Sequence, residues 1–171
     1  MPKIIENVRE QLLAVARKQT RERGYAGMTI RSVASECGLA VGTVYNYFKS
    51  KDMLIASFMI EDWDATMRGI NERGVKDARE LLFGLYTALK SFAGDYDFLF
   101  SDSEAARVFA YSRERHGVLR HQLAEMLLPV CESEEDREFR AVFAAESLIF
   151  WTMSGEEFDK IAGAILKVIS R

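Results

Sequence analysis

Apolar residues recur at three- and four-residue intervals through most of the chain, and no stretch of any length alternates in the manner of a strand. Ile4, Ile5, Val8, Leu12, Val15 and Ala16 predict a first helix that ends near Gly24. Thr29 is placed to cap a short second helix carrying Ile30, Val33 and Ala34 on one face, and Gly38 stops it. A third helix runs from about Val41 to Phe48, so two short helices meet at a tight glycine turn and rest on the first. That is a helix-turn-helix arrangement. Ser50 then caps a fourth helix, in which Leu54, Ile55, Phe58, Met59, Trp63, Met67 and Ile70 form a wide stripe.

From Ala78 to Ala93 the chain is apolar on nearly all sides, which describes a buried central helix. Ser101 with Glu104, Ser133 with Asp136, and Ser154 with Glu157 match a capping box or its close variant and announce three more helix starts. Pro129 closes the stretch that begins near Ser103, with Gly117 as an interruption. The last two helices are expected at about 136–153 and 156–170. In the final one Phe158, Ile161, Ala162, Ile165, Leu166 and Ile169 keep their spacing almost to the end, which calls for a cover, and a partner subunit is the economical one. Phe150, Phe158, Ile161, Ile165 and Ile169 are therefore expected at a dimer seam. The expected fold is all-α: an N-terminal three-helix helix-turn-helix domain over residues 1–50, followed by a helical effector and dimerisation domain over 51–171.

Composition agrees with helices. The 171 residues include only 11 Gly and 2 Pro, too few for a chain built from many turns. No apolar run reaches the roughly 18 residues of a membrane span, and no signal peptide fits, so a cytoplasmic location is expected. Cys37 and Cys131 stand far apart with no Cys-x-x-Cys, which argues against a disulfide framework and a structural zinc site. The net charge of −3 conceals an asymmetry. Residues 1–51 hold nine Lys+Arg against four Asp+Glu, leaving 14 against 22 for the remainder. A basic third suits a polyanion, and an acidic body must stand away from it.

On the third helix Val41, Val44 and Phe48 share one face, with Gly42, Thr43 and Asn46 opposite and Tyr45 and Tyr47 on the flanks. The apolar face anchors the helix. The other is small and hydrogen-bonding, followed by Lys49 and Lys51, the layout that a helix in a major groove requires. Helix starts at Thr29 and Ser50, near Arg31 and Lys51, add N–H groups that favour an anion. The run Thr29-Ile30-Arg31-Ser32-Val33-Ala34, then Gly38-Leu39-Ala40-Val41-Gly42-Thr43-Val44-Tyr45-Asn46-Tyr47-Phe48-Lys49-Ser50-Lys51 with Leu54 following, resembles the DNA-binding domain of the TetR (tetracycline-repressor-like) regulators over about residues 4–55. The resemblance implies phosphate contacts by Thr29, Arg31, Tyr45, Tyr47 and Lys51, and base-facing positions at Val41, Gly42, Thr43 and Asn46. No Arg, Gln or Lys lies in 40–48, so direct readout falls to Asn46, Thr43 and the methyl groups of Val41, with DNA shape supplying the rest.

Met59, Trp63, Met67, Phe83, Tyr86, Phe109 and Tyr111 either line a cavity for an aromatic or lipophilic effector or simply fill a helical core. Glu146 falls inside the stripe of Phe139, Val142, Phe143, Ile149, Phe150 and Met153, so it is exposed at an edge, paired with an Arg, or awaiting a cationic ligand. His116 and His121 do not share a helical face, and no residue set suggests a metal or a cofactor. No converging catalytic groups are found, which argues against an enzyme. The expected protein is a homodimeric DNA-binding regulator, most simply a repressor. It would bind a pseudo-palindromic operator and be released by a small-molecule effector, with the fourth helix linking the two functions.

Overall fold

The computed structural model describes residues 7–103, 105, 113–132 and 134–170, and every regular element among them is a helix. In order these are α1 (Val8–Gly27), α2 (Ile30–Glu36), α3 (Val41–Tyr47), α4 (Lys51–Glu72), α5 (Ala78–Asp95), α6 (Asp97–Phe100), α7 (Arg113–Leu127), a 3-10 turn (Leu128–Val130), α8 (Arg137–Met153) and α9 (Phe158–Ile169). The chain divides into two compact units, residues 1–64 with 98–109 and residues 65–97 with 110–171. The first unit keeps α4 as far as Asp64 rather than ending at residue 50, because Leu54, Ile55 and Phe58 in the opening turns of α4 are fully buried.

In the first unit, Leu12, Leu13 and Ala16 of α1 are buried, as are Val33 and Ala34 of α2 and Val44 and Phe48 at α3. The expected end near Gly24 is a break in the helix, where Gly24 has φ 70° and ψ −179°. Thr29 caps α2 reciprocally: Ser32 N donates to Thr29 Oγ1 (3.0 Å) and Thr29 N donates to Ser32 Oγ (3.1 Å). At the other end Gly38, at φ +67°, turns the chain, with Gly38 N bonded to Ser35 O and Leu39 N to Ala34 O. This Schellman closure satisfies the last carbonyls of α2 and directs the chain into α3. Ser50 caps α4 through Met53 N (3.1 Å).

In the second unit α8 touches α5, α7 and α9. Its inward side is small, with Ala141, Ala144 and Ala145 beside Leu148 and Ile149, which lets neighbouring helices come close. Ile161, Ile165 and Ile169 of α9 are at most 3% exposed, so they belong to the core of their own protomer and not to a dimer seam. The end of α9 is covered from within: Glu132 N donates to Ile169 O (2.9 Å) and Arg140 Nη1 to Val168 O (2.6 Å). Three other expectations change. Gly117 does not interrupt α7. Ser154 is the C-cap of α8, its hydroxyl donating to Phe150 O, and Gly155 at φ +82° closes that end, so Ser154 does not cap α9. Phe83 leaves an otherwise buried face of α5 and is 54% exposed.

Candidate nucleic-acid interface

α3 is held by Val44 and Phe48 and turns its other residues outward. Tyr45 and Tyr47 are each 46% exposed and Val41 37%; Gly42 and Asn46 are exposed and Thr43 is half-buried. Val41, which the helical projection sets beside Val44, lies at the rim because it opens the helix, where Ala40 before it is also exposed. Asn46 is exposed and its carboxamide makes no hydrogen bond to the described residues. Thr29 and Arg31 are exposed at the start of α2. The Thr29 oxygen is engaged as a cap acceptor, while its proton stays available to an outside acceptor.

α2 is locked to α1 by a residue that the sequence reading passes over. Gln19 is 1% exposed. Its Nε2 donates to Glu36 Oε2 (2.6 Å) and more weakly to Ser32 O (3.3 Å), and its Oε1 lies 2.6 Å from Ser32 Oγ, whose hydroxyl donates to it. The amide thus joins both ends of α2, including the capping box. Its signal in the sequence is position: Gln19 and Thr20 stand three and four residues after Ala16, within the buried stripe. The hydrogen bond from Gln19, and then the one from Lys18 (3.1 Å), hold the Glu36 carboxyl below the ordinary glutamate range. Burial, and then the charge of Glu36, push the half-buried Cys37 thiol up, which disfavours its reactive thiolate.

The excess positive charge of the first third is partly consumed inside the unit. Arg9 pairs with Glu61 (2.5 Å) and Arg17 with Asp62 (2.7 Å), while Arg21 lies 4.0 Å from Asp62, so several basic residues of α1 are tied to the Glu61–Asp62 pair of α4. The Lys51 ammonium donates to Tyr25 O (3.0 Å) and stands 3.5 Å from the centre of the Tyr25 ring, whose hydroxyl donates to Asp52 (2.5 Å). Lys51 is therefore engaged within the protein, with donors remaining for an outside anion. Lys49 lies within 3.4 Å of Tyr45 O at the end of α3.

The residues expected to hold an effector are dispersed. Met59, Trp63 and Met67 are buried, the first two in the first unit and Met67 in the second. Phe109 and Tyr111 lie outside the described residues. Within the second unit Phe83 and Tyr86 meet the Phe158 ring at 5.0 and 5.4 Å. Phe83 and Phe158, with Asp77, Arg79, Glu80 and Asp159, line an open depression of about 420 Å³ rather than an enclosed cavity. Glu146 accepts from Arg120 Nη1 at 2.9 Å, the paired arrangement among its three readings. Among the described residues no group of three or more His, Cys, Asp or Glu is arranged to hold a metal, and no helix is long and apolar enough to cross a membrane.

Residues 12–58 match the model of the bacterial regulatory proteins of the tetR family. The HTH-type transcriptional regulator HbdR of Aromatoleum sp. (strain CIB) is 37% identical over 54 residues, 32% of this chain and 24% of HbdR. The HTH-type transcriptional repressor Rv1474c of Mycobacterium tuberculosis (strain ATCC 25618 / H37Rv) is 28% identical over 111 residues, 63% of this chain and 56% of its own. The first curated relatives are thus matched over 17% to 24% of their length. Among solved structures, RolR without ligand superimposes with a TM-score of 0.64 at 20% identity, over 94% of this chain and 90% of RolR. The fatty acid degradation regulator FadR of Bacillus halodurans gives 0.55 at 18% identity, over 94% and 93%. RolR has also been solved with resorcinol, and that chain gives 0.61 at 20% identity over 95% of this chain and 87% of RolR. At these identities the likeness is one of fold.

Proposed function

From the match of residues 12–58 to the tetR family of bacterial regulatory proteins, we infer a ligand-responsive TetR-family transcriptional regulator that binds duplex DNA as a homodimer. The observation that carries this reading is α3. Its apolar side is committed to the core at Val44 and Phe48, and its opposite side offers small, polar, unpartnered groups flanked by two exposed phenols. That surface fits a major groove, with Gly42, Thr43, Asn46 and Val41 toward base edges and Thr29, Arg31, Tyr45, Tyr47, Lys49 and Lys51 toward phosphates. Two such helices related by a dyad would address half-sites about one helical turn apart, roughly 34–36 Å, or a multiple of it. Such a protein works where the chromosome is, in the cytoplasm.

Repression is the favoured sense, as for Rv1474c, which is described as a repressor. A small-molecule effector is supported by RolR, which has been solved with resorcinol. α4 runs without a break from Lys51 to Glu72, through the point where the first unit ends. An effector that prefers one placement of α4 releases DNA only by its difference in affinity for the two states, typically about 1–3 kcal/mol. The homodimer is supported by the outward side of α8, where Phe139 is 70% and Phe150 62% exposed. Of the residues first expected at the seam, Phe150 keeps that role, and half-buried Phe158 faces Phe83 and Tyr86 within the protomer.

The test is a titration of the protein with a duplex containing the inverted repeat nearest its gene, over a range of salt. Binding that falls steeply with log salt, with a slope reduced by about one unit in Arg31→Ala, is the expected result. Equal binding to any duplex or to acidic peptides, or none at low ionic strength, overturns the reading.

A further inference from the structure

The outward face of α3 is unusual in what it lacks. At 100° per residue its centre is formed by Gly42 and Asn46, with Val41 and Tyr45 along one flank and Thr43 on the other. A Cβ built at Gly42 meets nothing within 4 Å, and the residue does not have a positive φ. Nothing within the described protein therefore requires glycine there, although glycine is among the weaker helix formers. What the missing side chain permits is close approach from outside. A base edge against the Gly42 backbone would bring the short Asn46 side chain, one turn further on, within reach.

We propose that α3 reads A·T pairs in each half-site, the Asn46 carboxamide on an adenine edge and the Val41 methyl groups against a thymine 5-methyl. The inference rests on the DNA-binding reading above and goes further by naming the bases. Adenine presents the N6 donor beside the N7 acceptor, which a carboxamide matches with its Oδ1 and Nδ2 together. Guanine presents two acceptors, N7 and O6; against these Asn46 would use its amide N–H groups alone and set Oδ1 against an acceptor. The usual guanine partners are Arg and Lys, and α3 carries neither. The lysines that follow are drawn away: Lys49 lies by Tyr45 O and Lys51 sits on Tyr25. The 37% exposed Val41 offers the groove a purely apolar contact, and the thymine methyl is the apolar element that the groove displays.

The experiment selects duplexes from a randomised pool with the full chain, then titrates the selected site with modified bases. A·T pairs should be enriched at the positions whose preference relaxes in Asn46→Ala and Val41→Ala. Replacing the contacted adenine by 7-deazaadenine, which removes N7, should weaken wild type on the order of tenfold and leave Asn46→Ala unaffected. Replacing the contacted thymine by deoxyuridine should weaken wild type a few-fold and leave Val41→Ala unaffected. Invariant G·C pairs at those positions, or base modifications that penalise wild type and variant equally, overturn the proposal while leaving DNA binding in place. A pool that yields no enriched duplex overturns the DNA-binding reading itself, and this inference with it. The loss on each modified base is read first in wild-type protein, and the variants are compared only once their helical circular dichroism matches wild type.

Discussion

Gln19 occupies a position where the stripe of α1 calls for an aliphatic side chain, and the structure shows why an amide serves better. It satisfies Ser32 and Glu36 at once, so α2 is positioned on α1 by directional bonds where an aliphatic contact would leave it free to slide. Gln19→Leu should lower stability by about 0.5–1.5 kcal/mol in urea unfolding, because the half-buried Ser32 hydroxyl and the Glu36 carboxylate lose their hydrogen bonds to the amide. Were hydrophobic gain dominant, stability would rise. Glu36 adds a pH dependence. Its pKa is lowered in the fold, so its contribution is complete above the unfolded glutamate value and is lost as pH falls through the folded one. Melting temperature followed from neutral pH down through the carboxylate range should therefore fall less steeply in Glu36→Gln than in wild type. At this scale the sequence shows charge and polarity but not partners. Lys51 reads as a bare cation beside a helix start, and only the fold brings Tyr25, 26 positions away in sequence, beneath it.

Among the elements, the helix-turn-helix was legible because its signals are local. Thr29 announces α2, Gly38 ends it, and the period of Val41, Val44 and Phe48 orients α3, all within about twenty residues. The pairing of α1 with α4 was not legible, since Arg17 and Asp62 meet over 45 positions and nothing local marks them as partners. That pairing also corrects the electrostatic picture: part of the basic excess of residues 1–51 binds α4 rather than facing outward. Gly42 separates fold from function at this scale. Gly42→Ala should stabilise the protein by about 0.5–1 kcal/mol, as expected for an open position inside a helix, and at the same time weaken binding to the selected duplex. Paired unfolding and binding measurements decide it. If both improve together, the space over Gly42 is not reserved for DNA.

For the whole molecule, the proposed homodimer asks which face would meet a second copy, and here period alone misleads. α9 has the more regular stripe, which invites its assignment to the seam, but one regular stripe is what a helix needs to reach its own core. α8 is apolar on two sides. Its alanine-rich side is buried, and Phe139, Val142, Phe143, Phe150 and Met153 form a second stripe in the open. Those five side chains expose on the order of 500 Å², given 150–250 Å² for a whole aromatic side chain. This is a large part of the roughly 800 Å² that each partner contributes to a stable interface. Glu146 lies on the same stripe near the middle of the helix, and Arg120 neutralises it, so a dimer can close over the stripe without burying an unpaired charge. The two candidate seams therefore separate by mutation. Phe143→Asp with Phe150→Asp should give a folded monomer by sedimentation, with its helical circular dichroism retained and its operator affinity much reduced. Ile161→Asp should instead unfold the protomer, because its charge would enter a core residue position that is 3% exposed. A dimer that survives both α8 substitutions would move the seam to another face.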